Sequence, residues 1–265
     1  MKFQTLLATS VLAGAFIAQA ASANTSLTDL LPPPLPVGAN PAAFAAPKLD
    51  WVQRVKSTDD RAQAAASSIR LVFDGDSITD GWQGKGKEVW AQRYAHLGAF
   101  DFGIAGDRTQ HLLWRLSTGQ VDNLKPVLIA LMIGTNNLSG NTDEQIAEGV
   151  AAIVQDYRTR CPDAVVLLQA IFPRGQHADD PSRARIKAIN QIIAKLHDGK
   201  KVVFVDFGEK FLSADGSISP EIMPDFLHPS AKGYQIWADA IQPVIDQNFP
   251  PGAPATPAAV TAPTK

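Results

Sequence analysis

The sequence predicts an α/β fold, with a mainly parallel, five-stranded sheet and helices on both of its faces. Three observations carry that expectation. Five short apolar runs, at residues 69–74, 100–103, 127–133, 165–171 and 202–206, are apolar at successive positions, as strands covered on both faces are. The stretches between them place apolar residues at helical spacing. Each run also gives way to a small or polar cluster, at the strand end where open α/β sheets hold their ligands.

Taken in order, the chain starts with Lys2, an apolar stretch over residues 6–20 and the small-residue set Ala21-Ser22-Ala23. This pattern predicts a secretory signal peptide over 1–23, cleavage near Ala23, and a secreted or periplasmic product. An uncleaved anchor is the competing reading, but the apolar stretch is short for a membrane span and no later one is long enough, so no stable membrane insertion is expected. Residues 24–48, with Pro32, Pro33, Pro34 and Pro36, form a Pro/Ala-rich leader, read as an extended surface segment or linker. The folded domain is expected over 49–248. The Pro/Ala/Thr-rich tail 249–265 is expected to be disordered.

Within the domain, the strand at 69–74 stops at Gly75, whose tolerance of positive φ suits a sharp turn. Thr109 is expected to cap a helix carrying His111. Thr142 and Gln145 form a capping box ahead of Ile146, Val150, Ile153, Val154 and Tyr157. Asp180-Pro181 opens a helix with Ile186, Ile189, Ile193 and Leu196, which Gly199 ends. Ser230 opens the last helix, with Tyr234, Trp237, Ile241 and Val244, and Pro243 is expected to bend it.

The formal net charge is −2 and no basic run occurs, which argues against nucleic acid as a partner. The single cysteine, Cys161, cannot form an internal disulfide and has no neighbours at metal-ligand spacing. No metal is expected. Asp76 and Asp80 lack a histidine pair or carboxylate cluster around them, so hydrogen bonding within their turn is preferred.

The post-strand clusters are Asp76-Ser77, then 103–109, then Gly134-Thr135-Asn136-Asn137, then Pro173-Arg174-Gly175, and at some distance Asp225-Phe226-Leu227-His228. On residue type alone Ser77 is either a nucleophile or a helix N-cap. Together the clusters allow acyl transfer. His228 can take the Ser77 proton, and Asp225 can hold the imidazole. The backbone N–H groups of Ser77 and Gly106 and the Asn136 amide can face an oxyanion. The competing reading of Asn136 is that its side chain closes its own turn. His111 is the rival base, with a buried, hydrogen-bonded role preferred for it. Asp107 and Arg108 are expected to pair and brace the Gly106 loop, with substrate contact by Arg108 as a second reading. Trp82, close behind Ser77, is a candidate wall of the acyl or alcohol site.

The blocks Gly75-Asp76-Ser77-Ile78, Gly103-Ile104-Ala105-Gly106, Gly134-Thr135-Asn136-Asn137 and Asp225-Phe226-Leu227-His228 resemble, in order and spacing, the GDSL/SGNH hydrolases. The stretch 102–116 resembles the branch of the platelet-activating-factor acetylhydrolase catalytic subunits and their bacterial relatives. The resemblance runs from about Trp51 to Asp246. It implies a flavodoxin-like three-layer sandwich, a Ser77–His228–Asp225 triad, an oxyanion hole including Gly106 and Asn136, and no cofactor. The wider family often has Asp where Asn137 stands; the acetylhydrolase branch has Asn. The resembling enzymes can dimerise. The expected substrate is a small-molecule or glycan ester: a short acyl ester, acetyl first, of extracellular carbohydrate. A lysophospholipase or broad acylhydrolase is the alternative, and a glycan-binding module without turnover the lesser one.

Overall fold

The computed structural model describes residues 34–250. The expected signal peptide, the start of the leader and the tail beyond Pro250 lie outside the described residues. The main elements are α1 (Val52–Ala64), β1 (Leu71–Gly75), the single turn α2 (Ser77–Asp80), α3 (Lys87–Arg93), β2 (Ala99–Asp101), α4 (Thr109–Ser117), β3 (Leu128–Met132), α5 (Asp143–Arg160), β4 (Val165–Gln169), α6 (Pro181–Ile193), β5 (Val202–Val205) and α7 (Ala231–Asn248). Every strand pairing is parallel, in the order β2-β1-β3-β4-β5. The chain winds one way from β1 to β2 and the other way from β3 onward. The switch point therefore lies past the carboxyl ends of β1 and β3, where such sheets open a crevice. Ser77 follows β1 there, and Asn136 follows β3.

Alternation along the strands sorts the core into two layers. Val72, Ile129, Leu131, Val166 and Leu168 face α4, α5 and α6. Leu71, Phe73, Leu128, Ala130, Met132 and Leu167 face α3 and α7. Burial on both faces explains why these strands read as unbroken apolar runs. The expected strand at 165–171 ends sooner because Ile171 leaves the ladder: the Asn190 side chain, from α6, takes both its N–H and its C=O at 2.9 Å.

The helix caps follow the sequence closely. Thr142 and Gln145 form the capping box of α5. Asp180 caps α6 with Pro181 at its first position, and Ser230 caps α7. Pro243 lies inside α7, which runs on to Asn248. Gly199, at φ +69°, stands beyond the last helical turn of Ala194–Leu196. Thr109 does not cap α4: it is the first residue of that helix, and its hydroxyl donates to the Ala42 carbonyl at 2.7 Å. No periodic stripe announced α1, because its buried face is Val55, Thr58 and Ala62. Phe249, expected as the first residue of the tail, is buried in the α7 layer.

From Asn40 onward the leader is fastened along α4 and α5. Asn40 Nδ2 donates to the Gln145 carbonyl and to Glu148, each at 2.9 Å. The Ala46 N–H donates to the Gln110 carbonyl at 3.0 Å. Gly149 makes this approach feasible, since a Cβ there would stand 2.5 Å from the Ala42 carbonyl oxygen.

Candidate active site

The β1–α2 turn sets Ser77 at the switch point. Gly75 is required here for close approach: a Cβ would meet the Met132 carbonyl oxygen at 2.2 Å. Its φ is not positive, so the left-handed turn expected at this glycine is not what the chain uses. Asp76 caps the turn, its Oδ1 accepting the Ile78 N–H at 2.9 Å. Asp76 is fully buried and its Oδ2 has no hydrogen-bond partner. Burial pushes its carboxyl up to about 7 against the pull of the Ile78 bond. Tyr234 of α7 clamps the turn from the other side, donating to the Ile78 carbonyl at 2.6 Å.

Ser77 Oγ stands 2.8 Å from His228 Nε2, and His228 Nδ1 stands 2.6 Å from Asp225 Oδ2. The other Asp225 oxygen accepts the backbone N–H of His228 at 2.7 Å and of Leu227 at 3.2 Å. Partial burial pushes the Asp225 carboxyl up, but the bonds from the His228 ring and backbone outweigh it, and the group sits below its ordinary value. Between the two lies Phe226, the one non-glycine among the described residues with positive φ, at +58°. Holding it there costs about 1–2 kcal/mol. Its carbonyl accepts the Gly175 N–H at 2.9 Å, which fastens the bent loop to the loop after β4.

The Gly106 loop is a turn closed by Asp107 N–H to the Ile104 carbonyl at 3.1 Å. Gly106 takes its third position at φ +74°, the type II position that favours glycine. The backbone N–H groups of Ser77 and Gly106 carry no hydrogen bond among the described residues. Asn136 Nδ2 donates to the Asp107 carbonyl at 2.9 Å, which uses one amide hydrogen and leaves the second free. Asn137 is buried and serves elsewhere. Its Oδ1 accepts the Thr109 N–H at 2.9 Å, and its amide donates to Thr109, Gln110 and Asn141, which anchors the start of α4.

Several expectations change. Asp107 pairs with Arg115, at 2.9 Å, and not with Arg108. Arg108 reaches across the rim to Ser139 Oγ at 3.1 Å. Trp82 is no wall: it is 0 % exposed and packs edge-on or tilted against Phe73, Trp90, Tyr94, Tyr234 and Trp237. His111 Nδ1 accepts the Arg108 N–H at 3.0 Å. Burial, with the nearby Lys48, Arg108 and Arg115, pushes its ring down to about 4, so it stays neutral at ordinary pH. Asp80 pairs with Arg54 at 2.8 Å.

The sequence reading missed the set beneath the turn. Arg115 is buried and donates to Asp74 at 2.8 and 3.3 Å, to Asp107 at 2.9 Å and to Gln120 at 2.8 Å, while Tyr157 donates to Asp74. Its signal was an arginine inside the apolar stripe Leu112, Leu113, Leu116 and an aspartate inside a buried strand. The set joins the end of β1 to the Gly106 loop. Lys48, at the end of the leader, was also missed; its Nζ donates to the Ala105 carbonyl at 2.5 Å.

This constellation can do nucleophilic chemistry on a carbonyl, with a hydroxyl, a ring nitrogen and a carboxylate in line and free N–H groups nearby. Among the described residues, no group of three or more His, Cys, Asp or Glu is gathered as metal ligands would be, and no helix is long and apolar enough to cross a membrane.

Comparison with known proteins agrees with the architecture. The platelet-activating factor acetylhydrolase IB subunit alpha1 of Rattus norvegicus is 37 % identical over 203 residues, covering 74 % of this chain and 85 % of its own. The fold is shared with a GDSL-like lipase from Bacteroides thetaiotaomicron, at TM-score 0.58 and 22 % identity over 73 % of this chain and 98 % of that one. It is also shared with an acetylxylan esterase from Geobacillus stearothermophilus, at TM-score 0.54 and 21 % identity over 66 % and 93 %. The model of the GDSL-like lipase/acylhydrolase family matches residues 73–236, a span that holds Ser77, Gly106, Asn136, Asp225 and His228. The chain therefore belongs to the GDSL-like lipase/acylhydrolase family and is an ester hydrolase of the SGNH type.

Proposed function

We propose that the protein is an exported serine esterase that removes short acyl groups, acetyl first, from carbohydrate esters by way of an acyl-enzyme. The observation that carries the mechanism is the line from Ser77 Oγ through the His228 ring to Asp225, with contacts of 2.8 and 2.6 Å. His228 Nε2 takes the hydroxyl proton as Ser77 attacks the ester carbonyl carbon. Asp225 holds the ring by Nδ1 and stabilises its charged form without taking the proton. The tetrahedral oxyanion is met by the N–H groups of Ser77 and Gly106 and by the free amide hydrogen of Asn136. As the intermediate collapses, His228 gives its proton to the leaving alcohol oxygen, and the acyl group stays on Ser77. Water then attacks the acyl carbon, giving its proton to His228; the bond to Ser77 Oγ breaks, His228 returns the proton to that oxygen, and the acid leaves.

Support for a small acyl group comes from the acetylhydrolase relatives, whose name states an acetyl substrate. Support for an exported product is the charged start, apolar stretch and Ala21-Ser22-Ala23 of the sequence. The side chains of His228 and Asp225 are 42 % and 56 % exposed, open enough for a bulky alcohol group to approach. The test is a panel of p-nitrophenyl and sugar esters of increasing acyl length. A misfit of one methylene changes selectivity by only ~1–3 kcal/mol, so acetyl should exceed butyryl modestly and octanoyl strongly in kcat/KM. Octanoyl esters turned over as well as acetyl would replace this reading with a lysophospholipase or broad acylhydrolase.

A further inference from the structure

Lys48 precedes the family-matched residues 73–236 and reaches the site from the fastened leader. Its ammonium donates to the Ala105 carbonyl at 2.5 Å and lies 4.6 Å from the centre of the Trp51 ring. It forms no ion pair with a carboxylate among the described residues. Its hydrogen bond goes to a neutral carbonyl and polarises that peptide directly, while its charge also acts on the nearby Asp107 and His111. The peptide in question is Ala105–Gly106, the central one of the turn, whose two polar groups the turn's own closing bond leaves unused. Its oxygen belongs to Ala105 and its N–H to Gly106. In a trans peptide these point in opposite directions, so a donor fixed on the oxygen aims the N–H away from itself. Gly106 is suited to this twice over: its φ is +74°, and a Cβ would crowd Lys48 Nζ at 2.7 Å.

We propose that Lys48 is a positioning residue of the oxyanion hole, which orients the Ala105–Gly106 peptide and polarises it so that the Gly106 N–H becomes a stronger donor. The inference rests on Gly106 serving as an oxyanion donor. A hydrogen bond at one end of an amide strengthens the bond at the other, and charge-assisted bonds are about twice as strong as neutral ones. The gain matters only once negative charge develops on the carbonyl oxygen, so it acts on kcat and not on ground-state binding. Loss of a whole oxyanion donor costs roughly 10²–10³ in kcat. Loss of its polarisation alone should cost less, about 10-fold.

The experiment compares Lys48→Met, Lys48→Arg and Asn136→Ala in the full chain. It reads kcat and KM on an acetyl ester, the inhibition constant of a trifluoromethyl ketone that Ser77 converts to a tetrahedral adduct, and the melting temperature. Lys48→Met should lose ~10-fold in kcat with KM nearly unchanged, and should weaken the ketone by a similar factor. Lys48→Arg should restore most of both, because it also places a cationic donor on the Ala105 carbonyl. Wild-type kcat and ketone affinity in Lys48→Met, beside an impaired Asn136→Ala, would overturn the inference and leave the oxyanion hole standing. An impaired Lys48→Met whose ketone affinity is unchanged, or that Arg does not rescue, would also overturn it, since a merely structural role predicts that. Wild-type kcat and ketone affinity in Asn136→Ala would instead remove Asn136 from the oxyanion hole. Should Lys48→Met fail to fold, Lys48→Gln carries the same comparison.

Discussion

Arg115→Met strips the cation from the buried set beneath the nucleophile turn while keeping most of the side-chain volume. Arg115 is 1 % exposed, and both carboxylates it holds, Asp74 and Asp107, are equally buried. Removing one partner of a buried ion pair costs about 3–5 kcal/mol, because a desolvated charge is left behind. Here two carboxylates are abandoned at once, so the upper end is expected, about 5 kcal/mol. Burial already pushes the Asp107 carboxyl up to about 6, with Arg115 the main influence holding it down. Without Arg115 it rises further and takes up a proton, which limits the loss. A domain of this size loses ~2–4 °C of Tm per kcal/mol, so Tm should fall by ~10–20 °C. The assay is urea and thermal unfolding at pH 7 followed by circular dichroism. Adding Asp74→Asn and Asp107→Asn should recover part of the loss, since the abandoned charges go with them. A loss below ~1 kcal/mol in the single variant, or a triple variant no more stable than the single, would refute the reasoning.

Two other outcomes follow from burial. The Asp76 carboxyl sits at about 7 in the fold against 3.8 as a free group, so the folded chain holds this proton more tightly than the unfolded one. Its contribution is therefore full below about pH 4 and is lost as pH rises through 7. Asp76→Asn keeps an acceptor for the Ile78 N–H without the charge, so its Tm relative to wild type should rise from pH 4.5 to pH 8; a constant difference would show that the carboxyl does not titrate there. Trp82→Ala should cost about 3–5 kcal/mol by emptying the aromatic cluster, with KM unchanged in the folded fraction; a stable variant with altered KM would return Trp82 to the substrate wall.

The parallel sheet was legible because strands buried on both faces leave unbroken apolar runs, and the caps at Thr142, Asp180 and Ser230 because capping chemistry is local. The candidate site residues stood out because three short blocks each follow a strand on the same rim and a fourth, Asp225–His228, comes to Ser77 from a loop well beyond the last strand. What escaped depends on long-range approach. The field of Lys48 reaches a loop 57 residues away, and Arg115 meets Asp74 across 41. Asp107 was assigned to its neighbour Arg108, whereas the helix carries Arg115 two turns on into the core, where no solvent competes for the pair. Trp82 looked like a site residue because it follows Ser77 closely, but the chain between them turns inward and the ring lies under α7. Gly75 was read as a conformational need, and the requirement proved to be space beside Met132.

The central claim is that Ser77 is the nucleophile and that His228 activates it. Incubation with a fluorophosphonate, followed by peptide mass spectrometry, tests it most directly. One adduct per chain on the peptide carrying Ser77 is expected, forming at the rate at which esterase activity disappears. Labelling should slow by orders of magnitude in folded His228→Ala, as expected when a nucleophile loses its base, and should stay near wild type in His111→Ala. An adduct on another residue accompanying loss of activity, or undiminished labelling of Ser77 in His228→Ala, would contradict the account.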